Sequence, residues 1–226
     1  MTTLLQIDSS ARNPRSHTRR LTRSFVQEWF ARVPETRVIR RDLGSNPPPT
    51  ITEQWIASAF TAEGERSTDQ KAVLAASDTY IDELEQADVI VMGAPMYNYG
   101  MPAALKAWFD QVIRVNRTFS FDPDEDTWPV TPILKGKTLV ILSSRGEFGF
   151  EPGEIREEWN HLETHIRTLQ HFLGVEVSHL IAVEYQEFND ERHAHSLARA
   201  ESKLKALVDK LTVLCRITDL PREITA

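Results

Sequence analysis

The chain has 226 residues, of which 41% are hydrophobic and 26% are charged, values typical of a globular protein that can bury a core without disulfides. Generic nucleic-acid binding needs a basic face, and a formal net charge of −7 does not suggest one. No stretch approaches the ~20 apolar residues of a membrane span, and the first residues lack the pattern of a signal peptide, so we expect a cytoplasmic protein.

The first third of the chain alternates between strand and helix patterns. A short apolar strand, "TTLLQI", runs directly into Asp8 and two serines. From Ser16 onward, Leu21, Phe25 and Trp29 recur at helical spacing. "TRVIRRDL" reads as a second strand, and residues 44–68 are irregular apart from a short helix predicted around residues 53–60.

The middle of the chain contains the most apolar strand. A helix over "TDQKAVLAASDTYIDELEQA" precedes "DVIVMGA". Because this run is continuously apolar rather than alternating, it predicts a strand that is covered on both faces, as in a parallel sheet. The next helix has Leu105, Trp108 and Phe109 on its apolar stripe, and residues 117–135 are predicted to be a long aromatic and acidic loop.

The last third repeats the same alternation. "KTLVILSS" is a fourth strand, "EIREEWNHLETHIRTLQHFLG" is predicted to be one helix that ends at Gly174, and "VEVSHLIAVEY" is a fifth strand. The final helix carries the single cysteine, Cys215. One cysteine excludes a disulfide framework and a thiolate metal cluster, and we interpret it as a small buried apolar residue.

Five strands that alternate with helices predict one α/β domain over residues 1–226, with a doubly wound parallel sheet and helices on both faces. The pattern does not reveal the strand order. The common doubly wound orders nevertheless all bind ligands outside the carboxyl ends of the strands. The chemistry is therefore expected in the loops that follow the strands.

The loop after the first strand is rich in hydroxyl groups. Ser10, Ser16 and Thr18 lie in "DSSARNPRSHT", and Ser16 stands where a helix begins, so that the unpaired amides and the helix dipole favour a phosphate group. Arg12 or Arg15 would add positive charge. The alternative is that Ser16 is only an N-cap. The loop has neither the Walker A pattern nor the glycine-rich dinucleotide fingerprint.

The loop after the third strand is unusual for its large side chains. It carries Met96, Tyr97, Asn98 and Tyr99 in "APMYNYG", a combination that can wall a flat ligand with apolar faces while an amide meets its polar rim. The alternative is a turn packed beneath a neighbouring loop. Residues 144–146, after the fourth strand, supply a further small segment on the same edge. One phosphate site and one aromatic slot on this edge would suit flavin mononucleotide (FMN).

Three segments together resemble a known family. "DSSARNPRSHTRRLT", "APMYNYGMPAALKAWFDQVIRVNRTFSF" and "SSRGEFGF" are similar to segments of the FMN-dependent NADH azoreductases, which are flavodoxin-like quinone and azo reductases. The resemblance runs through residues 1–215, and the second segment is its most specific part. It implies a flavodoxin-like sheet of order 2-1-3-4-5 and a homodimer with FMN at the dimer edge.

The resemblance also assigns roles to residues of this chain. Those expected to bind the cofactor are Ser10, Ser16, His17, Thr18, Met96, Tyr97, Asn98, Tyr99, Ser144, Arg145, Gly146 and Glu147. Those expected to line the substrate pocket are Phe119, Phe121, Trp128 and Phe148. Family members usually have a glycine where this chain has Glu147, which bears on how closely the backbone approaches the ring there.

The reaction implied is a two-step, two-electron transfer. NADH or NADPH reduces the flavin and leaves, and a quinone or azo compound then takes the electrons in the same slot. No residue of the protein need act as an acid or base, although Asn98 is expected to support the flavin's pyrimidine edge. No metal is expected, because His161 and His165 have no third ligand at a telling spacing. A flavodoxin-type electron carrier or a flavin-bearing regulator is the alternative.

Overall fold

A computed structural model describes the backbone of residues 1–218 and the side chains of residues 1–213. Cys215, which the sequence analysis interpreted as a buried apolar residue, lies outside the residues whose side chains are described. The same holds for the tail 216–226, to which the sequence assigned no role. The elements in chain order are β1 (Thr3–Asp8), α1 (His17–Phe30), β2 (Arg37–Asp42), α2 (Glu53–Phe60), α3 (Thr68–Gln86), β3 (Val89–Pro95), α4 (Ala103–Val112), β4 (Phe119–Phe121), β5 (Val130–Pro132), β6 (Lys137–Ser144), α5 (Glu163–Leu169), β7 (Val175–Val183) and α6 (Glu191–Thr218).

Five strands form one parallel sheet in the order β2-β1-β3-β6-β7. Counted by the long strands alone this is 2-1-3-4-5, so the expected flavodoxin-like order is confirmed. The chain reverses its direction of travel across the sheet between β1 and β3. The loops after these two strands therefore border the crevice in which ligands of such sheets bind.

The sheet is buried on both faces, as the continuous apolar strands predicted. Alternate residues of β3 point to opposite sides: Ile90 and Met92 pack with residues of α3, α4 and α5, whereas Val89 and Val91 pack with residues of α1 and α6. Every residue of β3 is buried. A rigid central strand thus ends at the turn that carries Met96.

The single helix predicted over residues 154–174 is wrong. The structure has a 3₁₀ turn at Glu157–Trp159, then α5, then a second 3₁₀ turn at Gln170–Leu173. Asn160 interrupts the helix because its side-chain oxygen accepts the N–H of Glu163 at 3.2 Å, in the manner of an N-cap. The apolar spacing of this stretch did not reveal that break.

The segment predicted to be a loop, residues 117–135, contains an antiparallel hairpin formed by β4 and β5. The hairpin lies at the amino edge of the sheet, since β5 leads into Lys137, the first residue of β6. The ring of Phe119 packs against Phe172, with centroids 5.3 Å apart, in the turn that leads into β7.

Among the helices in the described part of the chain, none combines the length and apolar character that crossing a bilayer requires.

Candidate functional site

The three loops singled out in the sequence meet at the carboxyl edge of the sheet. The N–H of Ala11 donates to the Tyr97 hydroxyl at 3.2 Å, and the N–H of Met96 donates to the carbonyl of Ser144 at 2.8 Å. Backbone and side chain therefore tie the first loop to the second and the second to the third. The predicted convergence is confirmed.

A fourth loop, which the sequence analysis missed, completes this edge. After β7, the N–H groups of Tyr185, Gln186 and Glu187 donate to the carbonyls of Glu147, Arg145 and Gly146 respectively, at 3.0–3.3 Å. The rule that brings the carboxyl ends of parallel strands together applies equally to the fifth strand. Applied to "EYQEFND", it would have found this loop.

The serine loop ends in a well-formed helix cap. Ser16 is the N-cap of α1, and its hydroxyl accepts the N–H of Arg19 at 3.3 Å. As first-turn donors, the N–H groups of His17 and Thr18 have no intrahelical acceptor. The Thr18 side chain is buried and its hydroxyl lies 3.2 Å from that of Ser16, so it braces the cap rather than forming part of the open surface.

The buried Arg19 side chain holds the serine loop in place through hydrogen bonds to its backbone. Its guanidinium donates to the carbonyl of Ser10 at 2.7 Å and to that of Arg12 at 3.0 Å, and it forms a two-pronged pair with Asp42 at 2.6 and 2.8 Å. The Arg19 hydrogen bonds lower the pKa of Asp42 to about 2. The pair therefore stays ionised across the neutral range.

Positive charge at this end of the site comes from Arg12 and Arg15. Both line a cleft together with Ser10, Ser16 and His17. Burial lowers the pKa of His17, and the nearby charges of His193, Arg20 and Arg12 lower it further. His17 is thus kept in its neutral form near neutral pH, and the two arginines supply the charge. We call this part of the groove the phosphate end.

The Tyr97–Gly100 turn projects its two central side chains outward. Tyr97 and Gly100 exchange both backbone hydrogen bonds, and Asn98 and Tyr99 have φ angles of 48° and 66°, the pattern of a type I′ turn. An aromatic residue at positive φ costs free energy and is found mainly where surrounding structure enforces it, often at functional sites.

The groove continues past this turn into a second part, which we call the ring end. It shares three residues with the phosphate end, namely Met96, Gly146 and Glu187. The residues lining the ring end are Met96, Asn98, Tyr99, Gly146, Glu147, Phe150, Glu187 and Phe188. The ring of Tyr99 also contacts Trp159, with centroids 5.5 Å apart. Phe150, Phe188 and Glu187 join the residues expected at this place, and the binding of a flat ligand there stays a prediction.

One predicted ligand contact needs correction. The Arg145 side chain is fully buried; it donates to Glu163 at 2.9 Å and to Glu184 at 3.0 Å. Its guanidinium therefore fixes the loop after β6 and is not available to a ligand. Of the predicted segment, Ser144, Gly146 and Glu147 do face the groove.

The predicted substrate-pocket aromatics divide into two groups. Phe148 lies beside the ring end, stacked on Tyr185 with ring centroids 4.6 Å apart. Phe119, Phe121 and Trp128 belong to the hairpin at the opposite edge, about 25 Å away by the eight-residue length of β6. The topology keeps these three residues away from the cleft of their own chain, because the hairpin lies at the amino edge of the sheet and the cleft at the carboxyl edge. Their expected place in a substrate pocket stays a prediction.

The residues present suit a phosphorylated, flat ligand. Two hydroxyls, two first-turn N–H groups and two arginines at the phosphate end make a donor set for a dianion. The ring end combines three aromatic side chains and a methionine with one amide and two carboxylates. Within the described residues there is no cluster of three or more metal-ligating side chains. Fold and groove together define a flavodoxin-like, flavin-nucleotide-binding type of α/β protein.

The chain belongs to the Flavodoxin_2 family, described as having a flavodoxin-like fold, whose model matches residues 2–208. It is 49% identical over 218 residues to "FMN-dependent NADH:quinone oxidoreductase 2" of Colwellia psychrerythraea, covering 93% of this chain and 100% of the relative. It is 38% identical over 208 residues to "FMN-dependent NAD(P)H:quinone oxidoreductase 1" of Pseudomonas aeruginosa, covering 92% and 98%.

Solved structures share the fold at low identity. An azoreductase from Bacillus anthracis superposes with a TM-score of 0.82 at 21% identity, covering 93% of this chain and 100% of that chain. An FMN-dependent NADH-azoreductase from the same species, in complex with FMN, gives 0.81 at 16% identity, with coverage of 94% and 100%.

Proposed function

We propose that this chain is an FMN-dependent NAD(P)H oxidoreductase that reduces quinones and aromatic azo compounds. The observation that carries the proposal is the single groove whose dianion-binding end and aromatic end share Met96, Gly146 and Glu187. Its chemistry suits a ribityl phosphate at one end and an isoalloxazine ring at the other. The names of relatives that this chain matches over nearly their whole length support the same activity.

At the phosphate end, the proposed roles follow from donor chemistry. The hydroxyls of Ser10 and Ser16 and the N–H groups of His17 and Thr18 would bind the phosphate oxygens, since charge-assisted hydrogen bonds of this kind are the strong ones. Arg12 would add charge from the rim of the cleft.

At the ring end, the chain would supply binding and orientation. Bound FMN would provide the hydride-transfer chemistry. Asn98, held outward by its turn, would hydrogen-bond the pyrimidine edge. Met96 and Tyr99 would pack against the ring and keep water from it, and the Ser144–Gly146 backbone would approach from the other side. No side chain of this set need transfer a proton.

The proposal includes a homodimer. Phe121 and Trp128, on the hairpin, are 55% and 59% exposed, and large aromatic side chains exposed in groups typically mark interaction sites. Because the hairpin is far from the groove of its own chain, these rings would line a groove only if a second copy of the chain supplied them.

A cytoplasmic location is also part of the proposal. A single cysteine, unable to form an internal disulfide, suits a reducing compartment.

An absorption spectrum of the purified protein, before and after anaerobic NADH, tests the proposal. We expect a flavin band that bleaches with NADH and returns on addition of a quinone, with steady NADH consumption when both are present. A colourless protein that does not take up FMN would contradict the cofactor. A yellow protein that consumes almost no NADH with a quinone would favour the electron carrier instead.

A further inference from the structure

We propose that Glu187 makes this reductase select neutral or cationic aromatic acceptors over anionic ones, such as sulfonated quinones and azo dyes. The inference rests on the proposed function and concerns the ring end of the same groove. Its basis is the position of one carboxylate and the balance of charge around it.

Glu187 lies where the phosphate end and the ring end of the groove meet. Its N–H donates to the carbonyl of Gly146 at 3.0 Å. Its side chain packs closely against Gly146, since a Cβ added to that glycine would lie only 2.6 Å from the Glu187 Cγ. The side chain lines both the phosphate end and the ring end. A ligand that stacks over the ring end would therefore lie close to this carboxylate.

The surrounding cations are already engaged. Arg156 pairs with Glu147 at 3.2 Å, and Arg145 is surrounded by Glu151, Glu163 and Glu184 at 2.9–3.1 Å. Within the described part of the chain, Glu187 forms no ion pair. The segment 147–158 adds further carboxylates at Glu154, Glu157 and Glu158. The ring end therefore carries net negative charge.

The two ends of the groove carry charges of opposite sign. Arg12 and Arg15 stand at the phosphate end, where they suit the cofactor's dianion, and bound phosphate would neutralise them. Arg192, which lies 4.5 Å from the centre of the Phe188 ring, is paired with Asp190 at 2.6 Å, so a sulfonate on the acceptor would meet no unpaired cation of the described residues at the ring end and would bring like charges together. Such repulsion lowers the affinity for an anion and leaves that for a neutral ring of the same shape nearly unchanged.

A matched pair of acceptors tests the inference. We would measure kcat/KM for 1,4-naphthoquinone and for 1,4-naphthoquinone-2-sulfonate with the FMN-loaded wild type, Glu187→Gln and Glu187→Lys. The change to Gln should raise kcat/KM for the sulfonate, relative to the neutral quinone, by about three- to tenfold, and Lys should raise it further. Comparing each variant's ratio with that of the wild type cancels the different intrinsic reactivities of the two quinones.

The control is Glu35→Gln, which removes the same charge from an exposed residue at the amino edge and should leave the ratio unchanged. In about 1 M salt, where the screening length is ~3 Å, the wild-type discrimination should shrink. Because Glu187 is exposed, we expect the variants to fold, and their flavin absorbance checks this.

Equilibrium binding separates this inference from the proposed function. Without an electron donor, we would measure the dissociation constants of both quinones for the oxidised holoprotein by quenching of tryptophan fluorescence. Weaker binding of the sulfonate that is relieved in Glu187→Gln supports the inference, even if neither quinone is then reduced, a result that would defeat only the proposed function. Turnover of both quinones with an unchanged ratio in Glu187→Gln and Glu187→Lys would overturn the inference.

Discussion

Single residues beneath the groove determine the shape of its surface. Arg19 is an example, because its side chain is only 8% exposed and contacts no open part of the cleft, yet it donates to two carbonyls of the serine loop and pairs with Asp42. A buried cation is tolerated when it is paired and hydrogen-bonded. The loop thus depends on an ion pair that reaches from α1 to the end of β2.

Replacement of Asp42 by Asn should destabilise the fold at pH 7 by about 1–2 kcal/mol, because Arg19 loses its charged partner while the one-third-exposed carboxylate was partly screened. The matched control is Glu201→Gln, which breaks the exposed pair with Arg20 and should cost at most about 0.5 kcal/mol. Urea unfolding of the apoprotein measures both. Equal losses in the two variants would contradict the role given to the buried pair.

The same pair gives a pH dependence of known sign. The pKa of Asp42 is lowered from 3.8 to about 2 in the folded protein, so its contribution is present above pH 3.8 and is lost as pH falls toward 2. The difference in unfolding free energy between wild type and Asp42→Asn should therefore be constant from pH 7 to 5 and narrow below about pH 4. A difference that stays constant down to pH 3 would argue against this assignment.

Among the elements, α1 begins at the residue on which the proposed anion site depends. Ser16 caps the helix and lines the cleft proposed to bind phosphate, so the cap and the proposed anion site would use the same hydroxyl. The helix geometry explains why: the cap orients the hydroxyl beside the first-turn N–H groups, which are the donors that an anion would use.

Two substitutions at Ser16 separate these functions. Ser16→Ala should cost about 1 kcal/mol of apoprotein stability and Ser16→Gly only a few tenths, but both should weaken FMN binding by about 5- to 100-fold through loss of a phosphate hydrogen bond. Calorimetric titration of the apoprotein with FMN gives the affinity. Thr52→Ala, which removes the equivalent cap of α2, should lower stability and leave FMN affinity intact. Unchanged affinity in Ser16→Gly would remove the hydroxyl from the phosphate site.

For the whole molecule, the distance between the groove and the aromatic hairpin means that one chain cannot place its own hairpin over its own groove. In a two-fold symmetric dimer, a hairpin that reaches the partner's groove implies the reciprocal contact at the second groove. Each site would then combine the serine loop of one chain with Phe121 and Trp128 of the other. This arrangement makes the sites separable by mixing variants.

A complementation experiment tests the shared site. Ser16→Arg should block FMN binding, and the double variant Phe121→Ala, Trp128→Ala should lose most quinone reduction while retaining FMN. Unfolding and refolding an equal mixture should restore about a quarter of wild-type activity, because half of the dimers are mixed and each has one intact site. Sedimentation gives the oligomeric state. A monomer, or a mixture with no recovery, would rule out the shared site.

Three features could be predicted from the sequence alone: the five long strands, the covering of the sheet on both faces and the three loops that form most of the groove. These features depend on local apolar period and on turn chemistry, which a sequence displays directly. The sequence allowed two candidate parts of the site to be identified, Ser16 and residues 96–99. Hydroxyls at a helix start and large side chains after a buried strand are unusual wherever they occur.

The roles of several other residues became visible only in the folded protein, because they depend on partners distant in the chain. Arg145 looks like a ligand in sequence and becomes a buried anchor only when Glu163 and Glu184 converge on it. Trp128 looks like a pocket wall, and the topology moves it to the opposite edge of the sheet. Glu187 attracts no notice until the end of β7 brings it against Gly146. Such residues obtain their function from strand order and long-range packing, which local patterns do not encode.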